Sequence, residues 1–270
     1  MNKSLKTTLL STLVVPFALG AQVVSAAPIS DWGYSVTNTF SGVSWGGGSQ
    51  GDVDETFDGT TRTLSWGNGA DGPSSISIND VSATSGLQTN GGSVATGVFT
   101  HDNNVIDSSW NTLESFKLTS ALTLTAATPP GDTQNPAPIT FDSFFKETPN
   151  VTNCGFSSVS ECDDIFTIDN FDDLEAKETS NGFAFLSSFD EGGYTYNVML
   201  ELIGLEYLGA TRCGLAGADA GCVGLMTQEG QANNFQTYLS VSVPEPGTLA
   251  LLGLGLAGLG LSRRKKAAKA

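Results

Sequence analysis

The 270-residue chain has a single histidine, His101, and only 12 lysines and arginines against 28 acids. A lone histidine excludes any mechanism that needs two, and a Ser-His-Asp hydrolase would have to be built on His101. The Gly-x-Ser-x-Gly spacing occurs only in the glycine-rich run 42–51, around Ser44 and Ser49, with no helix-forming segment after it, so that class of hydrolase lacks the strand–turn–helix elbow its nucleophile needs. The four cysteines include no Cys-x-x-Cys spacing, which removes the common zinc-finger patterns. Long helical periodicity is absent, and glycine, serine, threonine and asparagine are abundant in its place.

The few cations are concentrated at the ends. Lys3 and Lys6 precede an apolar run over residues 9–24, interrupted by Pro16 and Gly20 and closing on Val24-Ser25-Ala26. A basic start, an apolar centre and a small-residue end predict a secretory signal over 1–26, cut by signal peptidase after Ala26, with Ala27 as the alternative. At the other end, Pro244-Glu245-Pro246 precedes thirteen apolar or glycine residues at 249–261, and then Arg263-Arg264-Lys265-Lys266. As a helix, 249–261 is about 20 Å long against a hydrocarbon core of about 30 Å, short for a permanent span. Snorkelling cations on the cytoplasmic side would leave everything before Val243 outside.

Between the ends, residues 27–243 keep five cations (Arg62, Lys117, Lys146, Lys177, Arg212) against 27 acids, a net charge of −22. Such a body repels nucleic acid and anionic lipid. Its 217 residues suit one large β domain. Cys154 and Cys162, and likewise Cys213 and Cys222, lie close in sequence, and in an exported chain the expectation is two local disulfides, Cys154–Cys162 and Cys213–Cys222. Period-two alternation predicts strands near 61–66, 75–78, 94–100, 116–118, 122–124, 139–145, 165–168, 183–189, 194–208 and 235–243. These imply an all-β fold, an antiparallel β-sandwich of jelly-roll-like topology over 27–243, flanked by the signal helix over 1–26 and by a C-terminal segment, 244–270, that holds an apolar helix over 249–261 and a basic tail. Four prolines at 128–138 predict a surface loop. Residues 172–180 alone have helix-forming composition.

Two acidic stretches are candidates for calcium: Asp52, Asp54, Glu55 and Asp58, and Asp163, Asp164 and Asp169 with Asp172 and Asp173. Neither follows the EF-hand spacing, so hard-oxygen chemistry rather than a loop motif carries that expectation, and no other cofactor is indicated. His101, where a strand runs into a polar turn, reads as a residue bonding local backbone. Trp32, Trp45, Trp66 and Trp110 could line a cleft or fill a core.

The C-terminal arrangement resembles a PEP-CTERM sorting signal: Pro244-Glu245-Pro246, a glycine-rich apolar stretch and a basic end. That resemblance implies an exosortase, a membrane transpeptidase-like enzyme, as a partner that cleaves near the tripeptide. It also implies an exopolysaccharide-making bacterial setting, with the membrane touched only through the tail. Thr100-His101, Asn103, Asn104 and Ile106 are similar to the signature of the THxN group of PEP-CTERM proteins, with Val105 where proline is expected. Further fragments match: Trp66-Gly67, Pro73-Ser74-Ser75, the run from Phe145 through Glu147 and Thr148 to Asn150, Cys162-Asp163-Asp164-Ile165-Phe166, and a Gly-x-x-Thr-x-Glu element from Gly224 to Glu229. The group is also described as a choice-of-anchor body, and it supplies no catalytic residues. The expectation is thus a non-enzymatic exported surface or matrix protein with a structural or interaction role beside exopolysaccharide. A carbohydrate-binding module, with or without calcium, is the alternative, and a hydrolase comes third.

Overall fold

The computed structural model describes residues 27–151 and 153–244. In chain order these form β1 (Asp31–Gly46), β2 (Asp54–Phe57), β3 (Thr61–Trp66), β4 (Ser74–Asn79), β5 (Val81–Gln88), β6 (Val94–Asn103), β7 (Thr112–Thr128) and β8 (Pro130–Gln134). There follow β9 (Ile139–Lys146), β10 (Asp164–Ile168), a 3-10 turn (Asn170–Asp173), β11 (Ala176–Glu178), β12 (Gly182–Glu191), β13 (Tyr194–Ile203) and β14 (Glu206–Tyr207). A short helix α1 (Gly209–Ala216), β15 (Val223–Thr227) and β16 (Gln231–Ser242) complete the order. One sheet runs β14-β15-β10-β9-β7-β1-β5, with β8 paired to β7, and the other runs β11-β12-β13-β16-β6-β4-β3-β2. The strands pair antiparallel throughout. The chain is therefore an all-β sandwich, as its alternation predicts.

Alternation explains the strands it located. In β4, Ser74, Ile76 and Ile78 are buried while their neighbours are half-exposed, so one side-chain row faces the core. Residues 116–118 and 122–124 belong to a single long strand, β7. The 194–208 segment splits into β13 and β14 at Gly204, whose φ of +90° breaks the strand with a backbone that glycine adopts readily. Strands β1, β2, β5, β8, β11 and β15 carry weaker signals. β1 buries Asn38 between Val36 and Phe40, so its inward row is not uniformly apolar. The 128–138 segment is mostly exposed, with Pro136 buried, and it includes β8, an edge strand with Pro130 at its first position, where a missing N–H is tolerated. Residues 172–180 form no α-helix; they finish the 3-10 turn and contribute β11.

Both disulfides pair as expected, Cys154 with Cys162 and Cys213 with Cys222. The second pins α1, which ends at Gly217 in the left-handed region with its N–H on the carbonyls of Cys213 and Gly214, a glycine C-cap. Eight residues containing two glycines give too little periodicity to reveal this helix from sequence. The expected signal peptide with its cut at Ala26, and the sorting residues Glu245 and Pro246 with the apolar helix after them, lie outside the described residues.

The inner faces enclose two apolar clusters. One holds Phe40, Trp66, Ile76, Phe99, Phe116, Phe145, Phe166 and Phe185 among others. The second holds Trp32, Leu87, Leu124, Tyr196, Leu239 and Val241. Between them runs a buried polar belt: Asn38 on β1, Ser120 on β7, Thr96 on β6 and Thr237 on β16. Asn38 donates to Asn79 O (3.1 Å) and accepts from Ser120 Oγ (2.7 Å). The Thr96 and Thr237 hydroxyls meet at 2.7 Å, and Thr237 also donates to Gly97 O at 2.6 Å. Each of these polar groups has a partner, which is what allows it to lie inside a sandwich.

Candidate functional site

At the far end of the larger cluster, β6 carries Thr100-His101-Asp102-Asn103 with side chains alternating out and in. Thr100 faces outward and donates to Asn234 Oδ1 at 2.8 Å. His101 and Asn103 face inward and are 1 % and 0 % exposed. The His101 ring stacks on Trp66 (centroids 5.7 Å apart) and meets Phe145 edge-on at 5.0 Å. Its Nδ1 lies 2.8 Å from Thr227 Oγ1, and Asn103 Nδ2 donates to Thr227 O at 3.1 Å. Thr227 Oγ1 in turn reaches Asp164 O at 3.3 Å. Asn104, past the end of the strand, exchanges hydrogen bonds with Ser74 and donates to Pro73 O. Burial pushes the His101 imidazole down to about 3, so it stays neutral at ordinary pH. A neutral, enclosed ring that holds Thr227 is a positioning group, not a base within reach of a substrate.

What it positions is acidic. Glu147 follows β9, Asp164 opens β10 and Glu229 follows β15, and one oxygen from each lies within 4.8 Å of the others. Glu147 Oε2 accepts from Trp66 Nε1 at 2.9 Å. Asp164 Oδ1 accepts from Thr148 N at 2.7 Å. Asn150, with its amide nitrogen turned inward, donates to both Glu229 oxygens at 3.0 and 2.8 Å. Glu147 Oε1 and Asp164 Oδ2 are buried without a partner. Burial and the neighbouring charges of Glu147 and Glu229 raise Asp164 well above the carboxylate range, against the pull of Thr148. Burial, with Glu229 nearby and Trp66 opposing, pushes Glu147 up to about 8. Burial with Asp163 and Glu161 pushes Glu229 to about 7. Three carboxyls in this setting need protons or a cation between them.

The loop closed by Cys154–Cys162 supports one wall. Asp163 accepts from Val159 N (2.7 Å) and Ser160 N (2.9 Å), and Ser160 Oγ accepts from Glu229 N at 3.0 Å. Burial raises the Asp163 carboxyl, but hydrogen bonds from Ser160 and Val159 outweigh it and hold it low. Asp163 is therefore spent as a cap. Asp169 lies elsewhere: it accepts from Asp219 N at 3.1 Å and lines an open groove of about 190 Å³ with Asp172, Asp173 and Asp219. Of Asp163, Asp164 and Asp169, only Asp164 joins the converging acids. In the earlier acidic stretch, Asp58 caps Thr60 and Thr61 and Asp52 accepts from Trp45 Nε1 at 3.1 Å. The convergence of Glu147 and Glu229 on Asp164 was not legible from acid spacing. Their signal lay in the fragments around Glu147-Thr148 and Thr227-x-Glu229, which the fold brings onto Trp66, His101 and Asp164.

A second feature concerns the exit of the chain. β16 lies between β13 and β6 inside its sheet. Val243 is buried beyond its end and donates its N–H to Asn90 Oδ1 at 2.9 Å, whereas Pro244 is exposed. A family model for the PEP-CTERM protein-sorting motif matches residues 242–265. The chain carries a PEP-CTERM sorting signal. No curated protein and no solved structure matches it. The PEP-CTERM match supports an exported protein sorted by an exosortase-like enzyme and anchored transiently through its tail. Its first residues overlap the end of β16, so the signal begins where the body's last inward contact is made. No helix among the described residues is long and apolar enough to cross a membrane.

Proposed function

We propose that the body is a non-catalytic component of the cell surface or extracellular matrix, of the THxN type, with a structural or interaction role beside exopolysaccharide. The observation that carries this reading is the PEP-CTERM signal joined directly to a disulfide-closed sandwich with five cations against 27 acids. Strong negative charge keeps such a body soluble and away from nucleic acid and anionic lipid. Fractionation of cells making the full chain or a chain ending at Val243 tests it. The full chain should be retained at the surface or in the matrix, and the shortened one released. Equal retention of both, or hydrolysis of a polysaccharide panel by the purified protein, would contradict it.

A second reading, a carbohydrate-binding module, draws on the tryptophans. Trp32 and Trp66 fill the core, at 0 % and 1 % exposed. Trp110 instead lines an open groove of about 430 Å³ with Asn68, Asp107, Val105 and Ile106. An aromatic face beside an amide and a carboxylate is the chemistry that stacks and hydrogen-bonds a sugar. Titration with the host's own exopolysaccharide should give binding that Trp110→Ala weakens about tenfold or more. An absence of heat and of any melting shift would remove this reading.

A further inference from the structure

The geometry points to a site for one hard divalent cation, calcium first, held by the carboxylates of Glu147, Asp164 and Glu229. The three residues come from three different segments, the ends of β9 and β15 and the start of β10, so a bound ion would tie these segments together. Acids alone do not make a site, since a body with this charge crowds many of them on its surface. Here Asp164 is fully buried, at 0 % exposure, and its Oδ2 has no donor; Glu147 Oε1 is in the same state. Buried carboxylate oxygens without partners are rare, and an ion is one of the few things that satisfies them. The donors that do reach the cluster, Trp66 Nε1, Thr148 N and Asn150, are neutral. The two ion pairs among the described residues, Lys117–Asp142 and Arg212–Glu206, lie elsewhere. Of the six partnerless buried side-chain atoms among the described residues, four belong to His101, Asn103, Glu147 and Asp164.

Oxygen-only donors favour calcium, magnesium or manganese over zinc or copper, and calcium's flexible shell suits three carboxylates whose spacing no loop motif dictates. Glu147 and Glu229 are each partly exposed, which leaves an entry path and room for water ligands. Asn150 supplies a switch. With nitrogen inward it bonds both Glu229 oxygens, which suits the ion-free cluster; with oxygen inward it becomes a fourth protein ligand. His101 and Asn103 stand behind, holding Thr227 and through it the Asp164 backbone.

The test uses the full-length exported protein with both disulfides formed, stripped with chelator and titrated with calcium, magnesium and manganese chlorides. We expect one equivalent per chain for at least one of these ions, with a melting rise of about 5 °C or more at saturation. Glu229→Gln, at the exposed edge, should weaken binding at least about tenfold while the stripped variant still melts cooperatively. Glu147→Gln, which retains an acceptor for Trp66, provides a second variant with the same expected loss. Asp172→Asn combined with Asp173→Asn should leave binding unchanged. No binding of any of the three ions at millimolar concentration would overturn the site, as would binding unaffected by both glutamine variants or abolished by the Asp172/Asp173 pair.

Discussion

Two buried polar groups sit inside the same sandwich and are built in opposite ways. The belt of Asn38, Ser120, Thr96 and Thr237 is neutral, and each member has its hydrogen bonds. The acid cluster of Glu147, Asp164 and Glu229 is charged when ionised and leaves two buried oxygens unpaired. The difference is that every member of the belt is partnered as folded, whereas the cluster leaves Glu147 Oε1 and Asp164 Oδ2 without a hydrogen-bond partner. A belt of this kind fixes register between sheets, and an open acid cluster marks a place where a ligand is expected.

The largest effect is expected at the belt. Asn38→Ala strands Ser120 Oγ and Asn79 O, and should lower unfolding free energy by about 2–4 kcal/mol in denaturant, equally with calcium or chelator. A calcium-dependent loss there would erase the distinction.

At the cluster the sign should reverse. In chelator at pH 8, Glu147→Gln removes a buried charge and keeps an acceptor for Trp66, so the ion-free protein should gain on the order of 1–3 kcal/mol. With calcium the same variant should be the less stable one. Destabilisation under both conditions would mean that the carboxylate is satisfied without an ion.

The pH dependence follows from the same residues. Glu147 has a folded value near 8 and Glu229 near 7, both raised from 4.5, and Lys146, Asp163, Asp164 and Glu161 are the charges around them. A carboxyl raised on folding favours the native state while protonated. Its contribution is fully present below about 4.5 and is lost as pH climbs through 7 to 8. Melting in chelator should therefore fall by several degrees between pH 5 and 8, and calcium should flatten that slope. A slope that is the same with and without calcium would count against the cluster as its source. The smallest effect is expected at the open Asp169 groove: Asp172→Asn with Asp173→Asn should change stability by less than about 0.5 kcal/mol in either condition.

Much of the architecture was legible in the sequence. Clean alternation in β4 and β7 located the inner faces, and close cysteine spacing gave both disulfides. The belt was not legible, because Asn38 and Thr237 look like ordinary polar interruptions until partner strands bring Ser120 and Thr96 opposite them. β1 was missed for that reason. The acid cluster was half legible. Asp164 stood out in a run of acids, but Asp163 and Asp169 looked equivalent to it, and only the fold shows one spent as a cap and the other exposed. Glu147 and Glu229 are 82 residues apart in the chain, and no local pattern pairs them. The fragments containing Trp66, His101, Glu147, Asp164 and Glu229 read as separate motifs in sequence and as one site in space.

The most direct test of an unfinished cluster is a crystal structure of the protein grown with manganese and then with calcium, using manganese for anomalous scattering. We expect a single strong anomalous peak among Glu147, Asp164 and Glu229, with calcium–oxygen distances of about 2.3–2.6 Å and the Asn150 oxygen turned inward. A cluster holding only hydrogen-bonded protons or water, with the anomalous signal at Asp169 and Asp172 or nowhere, would contradict it.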